Sequence, residues 1–380
     1  MAKVLYAIPS RGRWNRMLVM SYLPKWVREQ LHIFVIPEEK EKYEEAWPET
    51  TVVAVPSWVD HIERKRLFMF MYAKKHGYDA IFMFDDDLSL AGWNPEIKKF
   101  RSVRENPEIL TVFFRKTIPE LFERAPGVGL GCKFMADGKV LKNGLEEVNG
   151  KMCCAFGYRV DEALDFIKWE RTYHLWNLDT TMNLYFLANG LPLLVHYGVT
   201  WSTDFDVTAQ DPSKGGCAIY RKQSVINEAF LRMIWSFPGL VTRKKKMSTH
   251  PTSFLQISWK NAYGHFLKMG LPVTDEALRW ARKMKLSLPS YDEGYAEKMK
   301  EARAYSLRLE LFIQGKTQDH LKLDNKSAIA IVTDESRPEY EAYARRVENL
   351  DDFLAKYPTA VHMKREVSDN AVLAKRKKLF

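Results

Sequence analysis

The first third of the chain alternates short apolar runs with segments of helical spacing. Val4 to Ile8 reads as a buried strand, and Leu18 to Val27 carries apolar residues at helical intervals. His32 to Ile36 is a second strand that ends at Pro37. Glu38 to Trp47 is an acidic helix stopped by Pro48, and Val52 to Val55 is a third strand. Asp60 to His76 predicts a helix with Asp60 as N-cap and Gly77 at the stop, and Ile81 to Phe84 is a fourth strand. This βαβ alternation predicts an α/β fold, with a mostly parallel sheet flanked by helices.

Beyond Asn94 the pattern weakens. Between Asn94 and Trp176 only Glu162 to Trp169 reads clearly, as a helix. Asp179 to Asn189 is a further helix, stopped by Gly190-Leu191-Pro192, and Leu193 to His196 is a strand. Thr203 to Gly216 has loop composition. Thr274-Asp275-Glu276-Ala277 opens a helix with good capping chemistry. Glu297 to Phe312 and Glu339 to Lys356 read as helices around an apolar strand, Ala328 to Val332. A soft boundary near Gly270 divides the chain into residues 1–265 and a smaller, mainly helical C-terminal domain, residues 270–380, of accessory character.

Composition changes this picture little. The 380 residues are 46% hydrophobic and 28% charged, a globular balance that supports a sizeable core. Cys132, Cys153, Cys154 and Cys217 form no CxxC pair or zinc-knuckle spacing, so buried thiols in a reducing compartment are expected. No apolar stretch approaches the ~20 residues of a membrane helix, and the start reads as a first strand rather than a signal peptide. A soluble cytoplasmic protein is the expectation. The formal charge of +10 favours a polyanionic partner. It peaks at Arg243-Lys244-Lys245-Lys246 and at Lys375-Arg376-Lys377-Lys378. Either run could equally be a solvated loop or tail.

Chemistry enters at the strand ends, because ligands of such sheets bind beyond the carboxyl ends of the strands. Pro9-Ser10-Arg11-Gly12-Arg13 follows the first strand and Asp85-Asp86-Asp87 follows the fourth. The two are expected to face one crevice. Three adjacent carboxylates repel one another unless a cation is present, and Mg²⁺ or Mn²⁺ supplies one through oxygen ligands. Such an ion shares its shell with phosphates, which suits a diphosphate leaving group; a phosphotransferase could use the same device. A helix-capping turn would explain one aspartate, not three behind four apolar residues. Gly12 permits a tight turn, and the arginines offer paired donors to phosphate or a nucleobase edge. On the helix 60–76, Arg66, with Arg64 and Lys65 beside it, is placed to reach the nucleotide.

These residues resemble, in order, a group of GT-A glycosyltransferases. The match runs through the PSRGR turn, Phe34-Val35-Ile36-Pro37-Glu38-Glu39 with Tyr43 downstream, Val53-Ala54-Val55-Pro56, Ile62 with Arg66, and Phe84-Asp85-Asp86-Asp87-Leu88. The group comprises the phage-type enzymes associated with TET-like base oxidases, similar to the glucosyltransferase that makes base J. Leu178-Asp179, Lys214-Gly215-Gly216-Cys217 with Tyr220-Arg221, and Trp259-Lys260 extend the resemblance to roughly residues 4–260. The family's acidic motif commonly begins Glu-Asp, whereas Asn177-Leu178 precede Asp179 here.

The resemblance implies a GT-A-like, Rossmann-like fold and transfer of a sugar from a nucleotide sugar, UDP-linked, to a hydroxymethylpyrimidine in DNA. If phage-encoded, the enzyme would work in the host cytoplasm. On this reading Asp85 and Asp87 hold the metal, with His196 as a third ligand or a hydrogen-bond donor to phosphate. Pro9, Ser10, Arg11, Arg13, Arg66, Asp85 and Asp86 bind the nucleotide sugar, Asp86 at the ribose or donor sugar. Asp179 is the catalytic base of an inverting displacement, with Asp204, Asp206 and Asp211 as fallbacks. Arg243 to Lys246 would track DNA phosphates, and Trp58, Trp93, Trp176 or Trp201 would stack on an extruded base. Three alternatives stand beside it: a GT-A enzyme acting on a glycan, lipid carrier or protein, a nucleotidyl- or pyrophosphoryl-transfer enzyme, and a non-catalytic DNA-binding protein with a transferase-like fold.

Overall fold

The structure, a computed structural model, describes residues 1–57, 59, 61–169, 178–203, 233, 236–243, 255–299 and 302. One ten-stranded sheet organises them. Its strands are β1 (Val4–Pro9), β2 (Leu31–Val35), β3 (Thr51–Ala54), β4 (Ala80–Phe84), β5 (Leu88–Asn94), β6 (Lys99–Ser102), β7 (Gly127–Cys132), β8 (Glu146–Val148), β9 (Ala155–Arg159) and β10 (Leu193–Thr203). Their order is β3-β2-β1-β4-β9-β7-β10-β5-β6, with β8 paired to β10.

The half from β3 to β4 is parallel throughout, as the βαβ alternation predicts. β1 and β4 are almost wholly buried, which is why they read as continuous apolar runs. The other half is mixed. β9 runs antiparallel between β4 and β7, and β10 is parallel to β7 but antiparallel to β5 and β8. These strands come largely from the stretch where the sequence pattern was weakest.

One face of the sheet carries an aromatic layer. Phe82, Phe84, Phe113, Phe114 and Phe122 are all buried, and Tyr6 donates its hydroxyl to the Phe114 carbonyl at 2.7 Å. Each such ring contributes roughly 2–3 kcal/mol by burial. Gly157 lets β9 lie against β4, since a Cβ there would meet the Ile81 carbonyl oxygen at 1.9 Å.

Several elements differ from the sequence reading. Leu18 to Val27 is not one helix but a 3-10 turn, Leu18–Ser21, and a short helix, Lys25–Arg28. Pro24 separates them in an extended conformation and lacks the N–H a continuous helix needs. Pro37 likewise turns the start of the acidic helix into a 3-10 turn before Lys40–Ala46. The third helix spans Ile62–Lys75, and its N-cap is His61, whose ring accepts from the Glu63 amide; Asp60 lies outside the described residues. β10 continues well past His196 through an irregularity between His196 and Thr200. Thr274 does cap the helix Asp275–Met284, accepting from Ala277 at 3.2 Å.

The chain divides into two compact units, Met1–Tyr220 with Thr274–Leu288, and Arg221–Val273 with Pro289–Phe380. This division differs from the sequence boundary at 265–270. The helix Asp275–Met284 belongs to the sheet unit, where Trp280 and Arg279 both donate to the buried Glu162 at 2.9 Å. The second unit contains a two-stranded pair, Val241–Arg243 with Leu255–Ile257. Of the helix expected at 297–312 only residues 297–299 and 302 are described, and the segments expected at 328–332 and 339–356 and the basic run at 375–378 lie outside the described residues. Among the described residues, no helix is long and apolar enough to cross a membrane.

Candidate active site

The carboxyl ends of β1 and β4 are neighbours, because the two strands pair in register from Val4–Ala80 to Ala7–Met83. This brings the Ser10–Arg13 turn against Asp85-Asp86-Asp87. Gly12 has φ +65, a left-handed conformation that suits glycine, and its N–H donates to Glu39 at 2.9 Å. Ser10 donates to Asp86 at 2.5 Å and shares a hydrogen bond of 2.7 Å with the Tyr43 hydroxyl. That hydroxyl accepts from the Arg13 amide at 3.1 Å. The Arg13 guanidinium pairs with Asp86 and, at 3.0 Å, with Asp87. Pro9, Ser10, Arg13, Asp86 and Asp87 are all buried, while Arg11 is partly exposed.

The helix Ile62–Lys75 supplies the other wall. Lys65 reaches back to the Ser10 carbonyl at 2.6 Å, and Arg66 pairs with Asp85 at 2.6 Å. Both basic side chains are buried. Asp85 keeps 29% of its side chain exposed, so it is the most open of the three aspartates. Its amide donates to the Cys154 carbonyl at 2.8 Å, and Cys154 has φ +63, a strained conformation for a residue with a Cβ.

Asp179 lies in the first turn of the helix Leu178–Ala188. Its carboxylate accepts from the Thr180 amide at 2.7 Å, and it is near enough to raise the affinity of both Asp85 and Glu63 for a proton. Burial is the largest influence on both of those groups, and Arg66 opposes it. Glu63 is pushed up to about 7, as is Asp87, where burial is reinforced by Asp86 and Asp85 and opposed by Arg13. Five carboxylates, Glu63, Asp85, Asp86, Asp87 and Asp179, thus share the site with Arg13, Lys65 and Arg66, an excess of two negative charges when all are ionised.

That excess is what a divalent cation would neutralise. Among the described residues no three His, Cys, Asp or Glu side chains converge as a ready-made cage. Such an arrangement suits an ion that takes one or two carboxylates and completes its shell with phosphates and water.

The profile of the TET-Associated Glycosyltransferase family matches residues 5–208, which span the whole of this site. The chain belongs to that family. It is a glycosyltransferase. Among the solved structures that resemble it are two at 13% identity. A mannose-1-phosphate geranyltransferase from Thermus thermophilus covers 55% of this chain and 80% of its own, with a TM-score of 0.32. A protein described as a nucleotide-diphospho-sugar transferase from Desulfovibrio desulfuricans covers 49% and 76%, with a TM-score of 0.24. No curated protein matches the sequence significantly.

Of the residues singled out from sequence, the glycosyltransferase brings together Pro9, Ser10, Arg13, Arg66, Asp85, Asp86, Asp87 and Asp179. His196 is not among them. It lies on β10, three strands from β4, stacked on Phe113 with centroids 6.1 Å apart, and burial lowers its ring to about 4. Trp201 is buried and donates to the Leu130 carbonyl at 3.0 Å, and Trp93 packs on Phe100, so each is engaged in packing within the sheet. Arg243 ends a strand of the second unit. Lys244, Lys245, Lys246, Asp204, Asp206, Asp211, Trp58 and Trp176 lie outside the described residues, as do the 214–217 and 220–221 matches. Cys132, Cys153 and Cys154 are free thiols, half-buried against the hydrophobic core rather than fully buried.

Three residues were missed or undervalued in the sequence. Lys65 joins the turn directly, Tyr43 locks it, and Glu63 lies buried beside Arg66. The spacing of Glu63 and Arg66, three apart on one helix, is the signal that marks them as a pair.

Proposed function

We propose that this glycosyltransferase moves a sugar from a nucleotide sugar, UDP-linked, onto the hydroxymethyl group of a pyrimidine in DNA, with inversion. The observation that carries the reading is the meeting of the Ser10–Arg13 turn with Asp85-Asp86-Asp87 at the carboxyl ends of β1 and β4, with Arg66 paired to the partly exposed Asp85. Asp179, on the separate helix Leu178–Ala188, supplies a further carboxylate. Asp85 and Asp87 would hold the divalent cation, Mg²⁺ or Mn²⁺, which when bound neutralises the charge of the departing diphosphate.

The chain's own groups account for the rest. Arg11, partly exposed on the turn, would receive the nucleotide, and Arg66, paired with Asp85, would approach the same phosphates from the facing helix. Asp86 is fixed by Ser10 and Arg13, and so holds the turn in shape rather than reaching the sugar. Asp179 takes the proton of the acceptor hydroxyl as its oxygen attacks the anomeric carbon and the bond to the diphosphate breaks. An unaided hydroxyl is a poor nucleophile, and a positioned base typically contributes about 10²–10⁴-fold.

DNA as acceptor is supported by the family's association with TET-type oxidases and by the +10 charge. The test is release of UDP from UDP-sugars in the presence of hydroxymethylated or unmodified DNA. The reading expects release that depends on the hydroxymethyl group. Equal release with unmodified DNA, or release driven only by a glycan or protein, would sink the DNA acceptor.

A further inference from the structure

The turn after β1 lies where an anion cradle would be expected, but its backbone donors are already engaged. The amide of Ser10 donates to the Phe34 carbonyl at 3.0 Å, that of Gly12 to Glu39 at 2.9 Å and that of Arg13 to the Tyr43 hydroxyl at 3.1 Å. A nucleotide at this turn therefore meets side chains and shape rather than these N–H groups, and the shape is set from outside the turn. Glu39 and Tyr43 both belong to the segment Pro37–Ala46 that follows β2. Tyr43 is fully buried, and the bonds around its hydroxyl run in one consistent direction. Ser10 gives its single proton to Asp86 at 2.5 Å, so across the 2.7 Å contact between the two hydroxyls Tyr43 is the donor. The other oxygen of Asp86 accepts from the Arg13 guanidinium. A closed circuit results: the Arg13 amide to Tyr43, Tyr43 to Ser10, Ser10 to Asp86, and Asp86 back to the Arg13 side chain. Burial holds the Tyr43 phenol well above its ordinary pKa, which keeps the hydroxyl protonated and able to donate.

We propose that Tyr43 is a positioning residue for the nucleotide-sugar donor. Its hydroxyl closes the circuit that holds the Ser10–Arg13 turn against Asp86, and it acts through the turn rather than on the donor itself. Without that hydroxyl the Arg13 amide loses its acceptor and Ser10 loses a donor. The turn then spends less time in the binding shape, and apparent donor affinity falls in proportion. Arg13 carries the disturbance onward, since the same guanidinium meets Asp87 at 3.0 Å. The role rests on the reading of this turn as the nucleotide site, and the experiment separates the two.

Full-length wild type, Tyr43→Phe, Ser10→Ala, the double variant and Tyr6→Phe are compared for affinity toward UDP, dTDP and GDP with Mn²⁺ present, for Tm, and for amide exchange at Gly12 and Arg13. Tyr6→Phe is the control: it also removes a buried hydroxyl, bonded to the Phe114 carbonyl at 2.7 Å, but in the aromatic layer. Tyr43→Phe keeps the ring. It is expected to weaken the nucleotide that wild type binds by about 5- to 20-fold and to quicken exchange of the Arg13 amide. Ser10→Ala should weaken binding by a similar factor, and the double variant by no more than about twice the larger single loss, because both break one circuit. Tyr6→Phe should lower the Tm and leave affinity within about twofold. Wild-type affinity in Tyr43→Phe, an equal loss in Tyr6→Phe, or single losses that multiply in the double variant would each overturn the role. Should Tyr43→Phe not fold, Ser10→Ala against Tyr6→Phe decides by the same criteria whether the circuit carries affinity. If wild type binds none of the three nucleotides, the reading of the turn fails and the role with it. Binding by wild type that Tyr43→Phe matches overturns the role alone.

Discussion

At the scale of single residues, the site is a set of carboxylates brought closer than their charges allow alone. Arg13 meets Asp86 and Asp87, Arg66 meets Asp85, and the remainder of the repulsion shows in Asp87, raised to about 7 by burial with Asp86 and Asp85. A carboxyl raised above its unfolded value binds its proton more tightly when folded. The stability it adds is present at low pH and is lost as pH rises from about 4 toward 7. A cation held by Asp87 replaces that proton. Mn²⁺ is therefore expected to raise the Tm more at pH 8 than at pH 6, and Asp87→Asn should abolish the difference; thermal unfolding at the two pH values checks this. An equal shift at both, or none, would remove Asp87 from the metal site.

At the scale of elements, the parallel half of the sheet and the two edge turns were legible because buried parallel strands spell out as apolar runs with punctuation at their ends. Ala80–Phe84 followed by three aspartates is the clearest case. The mixed half was not legible. β7 is Gly-Val-Gly-Leu-Gly-Cys, with little of the bulk or branching that marks a strand, and its glycines are there because neighbouring side chains fill their space: Met152 over Gly129, Tyr197 over Gly131. Only the partner strands explain that choice. Proline breaks misled in the same way, since apolar spacing continued through Pro24 while the backbone could not. His196 was misjudged because its position after a strand looked like a site, whereas β10 lies three strands away. Gly157 gives the sharpest test at this scale. Gly157→Ala pushes a Cβ into the Ile81 carbonyl and is expected to cost about 2–3 kcal/mol. Chemical denaturation would measure it, and a change within a few tenths would show that β9 does not lie against β4 as described.

At the scale of the molecule, the family match and the site occupy the same stretch, residues 5–208. The carboxylate edge of one sheet collects the nucleotide turn, the aspartates, the Arg66 helix and the Asp179 helix from segments far apart in sequence. The proposed function rests on that convergence, and the proposed DNA acceptor suits the excess of positive charge on the chain. The most direct measurement is the nucleoside mass after incubating the protein, Mn²⁺ and a panel of nucleotide sugars with DNA containing hydroxymethyluracil or hydroxymethylcytosine. The account predicts a hydroxymethylpyrimidine nucleoside heavier by one sugar residue, formed with one of the donors and lost when metal is chelated. Hydroxymethylated DNA returned unchanged with every donor, while the same preparation glycosylates a non-nucleic acceptor, would contradict it.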